Sequence, residues 1–406
     1  MNKLLIFAVL CLVSISAHSH AHIDIDSLEG LIKVPKEAFY DFTLLATTLG
    51  YPVEQHTVQT QDGYLLTYYR LQAKNTQIRS GLPVAFLNHG LLDSSDSFVV
   101  NDEGQAPGFL LANAGYDVWV ANNRGNKYAV AHVDPSFDAD DGDNKFWQFS
   151  WQEMSQYDLP AGIKYVAGVT GQKVNYIGHS EGCTIMFAAL ARRDPTVVQY
   201  LNKFIALAPA VFLQHSTSPL VQVAGWIKAG KILEAYSNLI DKQKFGWMTT
   251  LTRKVYVTTC VLANTLCVAR VRLLSDADTS VDNVKRFKVT SGHYPAGSSI
   301  QNMVYWSQMF NSPVFSMYDY GKKGNIQVYG TQTPPEYDLS KITEDIYMFV
   351  GKFDHLASPA DTATLRGKLT GSSRVEYRTY DLGHGSFIWG KDVATYVNDV
   401  LAVLRQ

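Results

Sequence analysis

The chain has 406 residues, enough for one large domain or two. Hydrophobic residues make up 46% and charged residues 18%, so a sizeable core can be buried, and disorder and coiled coil are excluded. Lys and Arg total 35 against 37 Asp and Glu, with no block of one sign, which implies neither nucleic acid nor an anionic membrane surface as a partner.

The chain opens with MNKLLIFAVLCLVSISAHSHA: an early lysine, an uncharged apolar run from Leu4 to Ile15, then small residues. This layout predicts a signal peptide over 1–21, with cleavage after Ala17 or Ala21 both open. The run is too short to span a bilayer, and no later stretch is long enough for a transmembrane helix. From Pro52, short alternating runs flank Asp62-Gly63 and predict a hairpin. PVAFLNHG and YDVWVANNRG then read as strands, APGFLLANAG and DLPAGIKYVAGVTG as helices, and VNYIG and FIALAP as strands around a helical GCTIMFAALARR. Strands alternating with helices predict an α/β fold with a mostly parallel central sheet covered on both faces.

After Pro209 the alternation stops. Residues 211–337 read as an inserted, mainly helical cap that divides the core into 22–210 and 338–406. The βα pattern resumes with IYMFVGKFD and RVEYRTYDLGH, and the chain closes on a helix whose apolar face is Val393, Tyr396, Val397, Val400, Leu401 and Leu404. Of four cysteines, Cys11 leaves with the signal. Cys260 and Cys267 would pair in an oxidising compartment, but one straight helix would hold their Cα atoms about 10 Å apart, so a bridge requires a bend. Cys183 is left over, with buried packing its simplest reading. The chain has no Asn-X-Ser/Thr acceptor, so N-glycosylation is not expected.

The strongest local signal is VNYIGHSEGCTIMF, where Gly178, Ser180 and Gly182 form G-x-S-x-G between a strand and a helix. Such a turn holds a nucleophilic serine at a strand end, and the glycines let strand and helix approach. A serine hydroxyl needs a base, and the base needs an orienting acid. Asp354, just past an apolar strand in FVGKFDHLASP, and His384, in YDLGHGSFIW after the last strand, stand in the order that such a fold requires. His355 and His179 sit on the wrong elements for the base. Asp361 and Asp381 are the nearest competing acids, and capping a helix start is the simple reading of Asp361. For the oxyanion, the donors expected are the backbone N–H groups of Glu181 and Leu91, the latter presented by a turn at His89-Gly90. No metal or organic cofactor is called for.

LNHGLL, AGYDVWVANNRGN, FWQFSWQEMSQYDLPA, GHSEG, PAGSSIQNMVYWSQ, GKFDHLASP and GHGSFIW, together and in this order, resemble the acid lipase family, which includes gastric and lysosomal acid lipases. The likeness runs from about Ala38 to the C-terminus. It implies an α/β-hydrolase fold with a helical cap, hydrolysis of triacylglycerols or sterol esters, a Ser180, Asp354, His384 triad, oxyanion donors at Leu91 and Glu181, and a short-range disulfide between Cys260 and Cys267. The family usually has Gln where this chain has Glu181. An ionised carboxylate there would oppose a developing oxyanion, so the side chain must point away, be paired, or be protonated.

In SPLVQVAGWIKAGKILEAYSNLI, the residues Leu220, Val223, Ala224, Trp226, Ile227, Ile232, Leu233 and Tyr236 make a broad apolar surface. It reads either as cap packing or as a lid over an acyl pocket that opens at a lipid surface. The expectation is therefore a secreted or lysosomal serine esterase acting on neutral lipid esters at a lipid–water interface. A carboxylesterase for soluble short-chain esters and a non-catalytic lipid binder on a hydrolase scaffold are the rival readings.

Overall fold

A computed structural model describes residues 33–140, 145–226, 230–233, 235 and 243–406. The signal peptide expected over 1–21 lies outside the described residues, as do Ile227 and Tyr236 of the apolar segment expected in the cap. Eleven strands are described: β1 Val53–Gln59, β2 Tyr64–Leu71, β3 Val84–Asn88, β4 Asp117–Val120, β5 Ala131–His132, β6 Val174–His179, β7 Leu201–Leu207, β8 Lys244–Phe245, β9 Ser298–Ser299, β10 Ile346–Gly351 and β11 Val375–Tyr380. The main sheet runs β1-β2-β4-β3-β6-β7-β10-β11, with β5 added to β2. The β1–β2 hairpin and the β2–β4 pair are antiparallel. Every neighbouring pair from β4 to β11 is parallel.

Side chains that alternate along the strands build two cores. Phe86, Tyr176, Phe204 and Met348 enter the core on one face. Leu87, Ile177, Ile205 and Phe349, each one residue further on, enter the other. The strands β3, β6 and β10 are therefore buried along their whole length, as expected of parallel strands with both faces covered. The helices Leu159–Thr170 and Glu181–Ala191 lie on the first face. Pro107–Asn113 and Val393–Leu404 lie on the second. The face expected for the last helix is buried, except that Leu404 is only partly so, and Val403 is buried with it.

One helix starts earlier than the sequence suggests. It opens at Trp151 behind a capping box made by Ser150 and Glu153, and widens into a π turn over Met154–Asp158 before running on as Leu159–Thr170. Pro160 has no N–H to give an α-helical bond, and the wider turn, where Leu159 N–H bonds Met154 O, absorbs that defect.

Between β7 and β10 the chain leaves the sheet. That excursion carries the helices Pro219–Trp226, Thr250–Leu262, Asn264–Leu274, Ile300–Phe310 and Gly321–Tyr329 and the small β8–β9 pair. The helices Thr250–Leu262 and Asn264–Leu274 meet at 107°. The bend brings the Cα atoms of Cys260 and Cys267 to 5.7 Å, and the two are joined in a disulfide. Among the described residues, no single helix is long and apolar enough to cross a membrane.

Candidate active site

Ser180 sits between β6 and the helix Glu181–Ala191 at φ 53°, ψ −116°, a left-handed φ that L-residues adopt only when their surroundings enforce it. Glycine provides the enforcement. A Cβ on Gly178 would come within 2.8 Å of the Gly182 carbonyl carbon, and one on Gly182 within 2.5 Å of the Asn88 carbonyl oxygen in β3. Strand, helix and neighbouring strand thus meet at van der Waals limits, and Ser180 N–H bonds Leu207 O at the end of β7.

The Oγ of Ser180 lies 2.7 Å from His384 Nε2, and His384 Nδ1 lies 2.8 Å from Asp354 Oδ2. All three residues are buried. Asp354 follows β10, and its Oδ1 accepts the N–H groups of Leu356 and Ala357 at 2.8 Å each. His384 follows β11. With Nδ1–H donated to the carboxylate, Nε2 accepts the serine proton, the tautomer a general base needs. Burial works against a charge on His384, but the Asp354 carboxylate outweighs it and lifts the imidazole above its ordinary value. Burial also raises Asp354, against the pull of His384 and the two backbone donors.

The loop after β3 packs on this string. A Cβ on Gly90 would meet the Ser180 Cβ at 3.1 Å, so a side chain there would crowd the serine. The left-handed turn lies elsewhere: Leu92 has φ 59°, while Gly90 is not in that region. The sequence reading of a turn made by His89-Gly90 is corrected accordingly, with Asp93 N–H to Gly90 O closing the turn. His89 is locked in place by accepting from Asn123 N–H and the Asn126 amide at Nε2, and burial holds it neutral, down at about 4. Among the described residues, the backbone N–H groups of Leu91 and Glu181 bond no backbone acceptor.

The competing residues have other partners. His179 is buried, with its pKa depressed to about 3, and its Nε2 meets the His384 carbonyl at 2.9 Å. Asp361 is not the cap of its helix: Ser358 caps Pro359–Lys368, and Asp361 accepts from the Ser358 hydroxyl and from His215. Asp381 is exposed and paired with Lys352. Cys183 is buried, and burial pushes its thiol up. Among the described residues, no group of three or more His, Cys, Asp or Glu could hold a metal ion.

Glu181 points away from the serine. Its Oε2 accepts from Asn302 Nδ2 at 2.8 Å and Trp306 Nε1 at 2.6 Å, both on the helix Ile300–Phe310. Burial pushes the carboxyl up to about 7, against the pull of these two donors. The side chain is thus turned away and paired, and it is neutral under acidic conditions. Because the folded pKa stands above the ordinary value of 4.5, the stability that the neutral acid contributes is complete below about 4.5. It is lost as pH rises towards about 7. We expect Glu181→Gln to remove this dependence, on the order of 3 kcal/mol between the two limits. Urea midpoints of both proteins at pH 4.5 and 7.5 would read it, and equal pH dependence in the two would refute it.

The segment PAGSSIQNMVYWSQ, to which the sequence alone assigns no role at the site, supplies Asn302 and Trp306. Asp276 and Asp282, which no sequence signal singled out directly, are both buried beside the His384 loop. The glycines flanking His384 were the available signal, since a Cβ on Gly383 would fall 2.2 Å from Asp276 Oδ1.

A family model described as the partial alpha/beta-hydrolase lipase region matches residues 42–102, and one for the alpha/beta hydrolase fold matches residues 83–391. The chain is 34% identical to the gastric triacylglycerol lipase of Rattus norvegicus over 91% of its own length and 93% of the relative's. It is 34% identical to the lysosomal acid lipase/cholesteryl ester hydrolase of Macaca fascicularis over 95% and 94% of the two chains. Among solved structures, a soluble variant of monoglyceride lipase from Saccharomyces cerevisiae shares the fold, with a TM-score of 0.51 at 13% identity over 87% of this chain and 97% of that one.

Proposed function

The chain belongs to the acid lipase family of the α/β-hydrolases and is a carboxylic ester hydrolase of lipids, and from that premise we propose that Ser180, His384 and Asp354 carry the reaction on triacylglycerols or sterol esters. The observation that carries the proposal is the string from Asp354 through His384 to Ser180, at 2.8 and 2.7 Å. Ser180 Oγ attacks the ester carbonyl while His384 Nε2 takes its proton, and Asp354 holds the imidazolium that forms. The tetrahedral oxyanion is met by the N–H groups of Leu91 and Glu181. As it collapses, His384 hands the proton to the departing alcohol and the acyl group stays on Ser180. Water, deprotonated by His384, then releases the fatty acid and restores the serine.

In this reading residues 211–337 form the cap. The helices Thr250–Leu262 and Asn264–Leu274 expose Leu251, Val255, Leu262 and Leu266, an apolar display that suits contact with a lipid phase. The Cys260–Cys267 disulfide supports an address in the secretory pathway, extracellular or lysosomal.

The test is fatty-acid release from emulsified long-chain triacylglycerol, an emulsified sterol ester and a soluble short-chain ester. We expect release that rises once the substrate exceeds its solubility limit. Activity on the soluble ester alone would replace the lipase by a carboxylesterase. No activity on any of the three from folded protein would leave a lipid binder.

A further inference from the structure

The segment 275–283, which belongs to the excursion between β7 and β10, touches both loops that carry the base and its acid. Towards the acid loop it pairs like a strand: Ala277 N–H bonds Phe353 O, His355 N–H bonds Ser275 O, and Asp276 faces Asp354 in an isolated antiparallel bridge. Towards the base loop it works through side chains. Asp276 Oδ1 accepts the N–H of Gly385 at 3.0 Å, one residue after His384. It also packs so closely on Gly383 that no side chain fits there. Asp282 Oδ1 accepts the Ser386 hydroxyl at 2.6 Å, and that hydroxyl in turn accepts Gly383 N–H at 2.9 Å. The brace closes at its far end with Asn283 N–H to Trp389 O and Lys391 N–H to Val281 O. His384 is thus flanked on both sides by backbone held on two aspartates from another part of the chain.

We propose that Asp276 and Asp282 are positioning residues for His384, that they act as neutral carboxylic acids, and that their ionisation loosens or mistunes the base. The inference rests on the reading of Ser180, His384 and Asp354 as one catalytic string.

The surroundings argue for the neutral form. Both carboxyls are fully buried, and among the described residues Oδ2 of each makes no well-formed hydrogen bond, although the Trp389 indole N–H lies close enough to Asp276 to favour its charged form. A buried carboxylate with an unsatisfied oxygen is costly, whereas an acid carrying its proton there is much less so. The charged groups facing Asp276 are the Asp354 carboxylate, which opposes a second negative charge, and His384, which favours one. Those facing Asp282 are Asp276 and Asp278, which oppose ionisation, and Lys391, which favours it. Burial acts first and the neighbouring acids second, and together they raise both aspartates above the usual carboxylate range. Once ionised, Asp276 would also hold the proton on His384, leaving the base occupied before it can act on Ser180.

The experiment is the pH profile of kcat and KM on a soluble ester for the wild-type enzyme, Asp276→Asn, Asp276→Ala and Ser180→Ala. Asp276→Asn keeps the acceptor for Gly385 N–H and cannot ionise, so its alkaline limb should move up by about one pH unit or more while the acid limb stays in place. Asp276→Ala should lower kcat at least tenfold at every pH with KM unchanged. If Asp276→Asn is not obtained folded, Asp282→Asn is read by the same criterion. An Asn profile that superimposes on the wild type, or an undiminished kcat in Asp276→Ala, overturns the proposal. Hydrolysis surviving in Ser180→Ala would instead refute the reading on which it rests, so the two failures are distinct.

Discussion

Ser180→Ala is expected to lower kcat on a soluble ester by on the order of a million-fold, about 8 kcal/mol of transition-state stabilisation, while leaving the thermal midpoint nearly unchanged. The serine hydroxyl makes its side-chain bond to His384, and removing it takes away the proposed nucleophile without touching the packing that holds the turn. Alanine is under the same left-handed strain as serine, so the backbone gains no reason to relax. The residual activity would be what the oxyanion donors and substrate binding supply without a nucleophile. A variant retaining more than about one per cent of wild-type kcat would mean that another group attacks.

Asp158→Ala is expected to cost about 3 to 5 kcal/mol of folding stability. Arg124 is buried, and Asp158 holds it with two hydrogen bonds, Oδ1 taking Nε at 2.8 Å and Oδ2 the backbone N–H at 3.0 Å, and with an ion-pair contact of 2.6 Å between Oδ1 and Nη2. Asp62 takes the rest of the fork at 2.6 and 2.8 Å, and the guanidinium lies 3.8 Å over the Tyr64 ring. Removing Asp158 leaves a buried cation half paired. The damage should also reach the site, because the loop that carries Arg124 continues to Asn126, and Asn123 and Asn126 fix His89 beside Gly90. Urea unfolding would measure the loss, and a midpoint change worth less than about 1 kcal/mol would show that Asp62 and Tyr64 suffice for Arg124.

The central sheet and the string of Ser180, His384 and Asp354 were legible because each rests on local chemistry. Short apolar runs between turn signals betray buried strands, and all three residues stand at strand ends, where a parallel sheet gathers them at one edge. What surrounds them was not legible, because its partners are far apart in the chain. Glu181 meets Asn302 and Trp306 across separations of 121 and 125 residues. Asp276 and Asp282 meet the His384 loop across 109 and 104. No spacing rule reaches that far. The early helix start at Trp151 was hidden for a different reason: Pro160 reads as a helix opening, and only the π turn before it reconciles the proline with a longer helix. The turn beside Gly90 was noticed but placed one residue early: it runs from Gly90 to Asp93, with its left-handed residue at Leu92.

The torsion at residue 180 depends on glycines before and after it and owes nothing to the hydroxyl it displays. Chemistry and architecture are therefore inherited separately here. A duplicated gene that alters residue 180 alone would yield an intact, silent scaffold in one step, open to a new occupation as a binder or a decoy. A change at residue 178 or 182 would abolish turnover and scaffold together and leave descent nothing to work on.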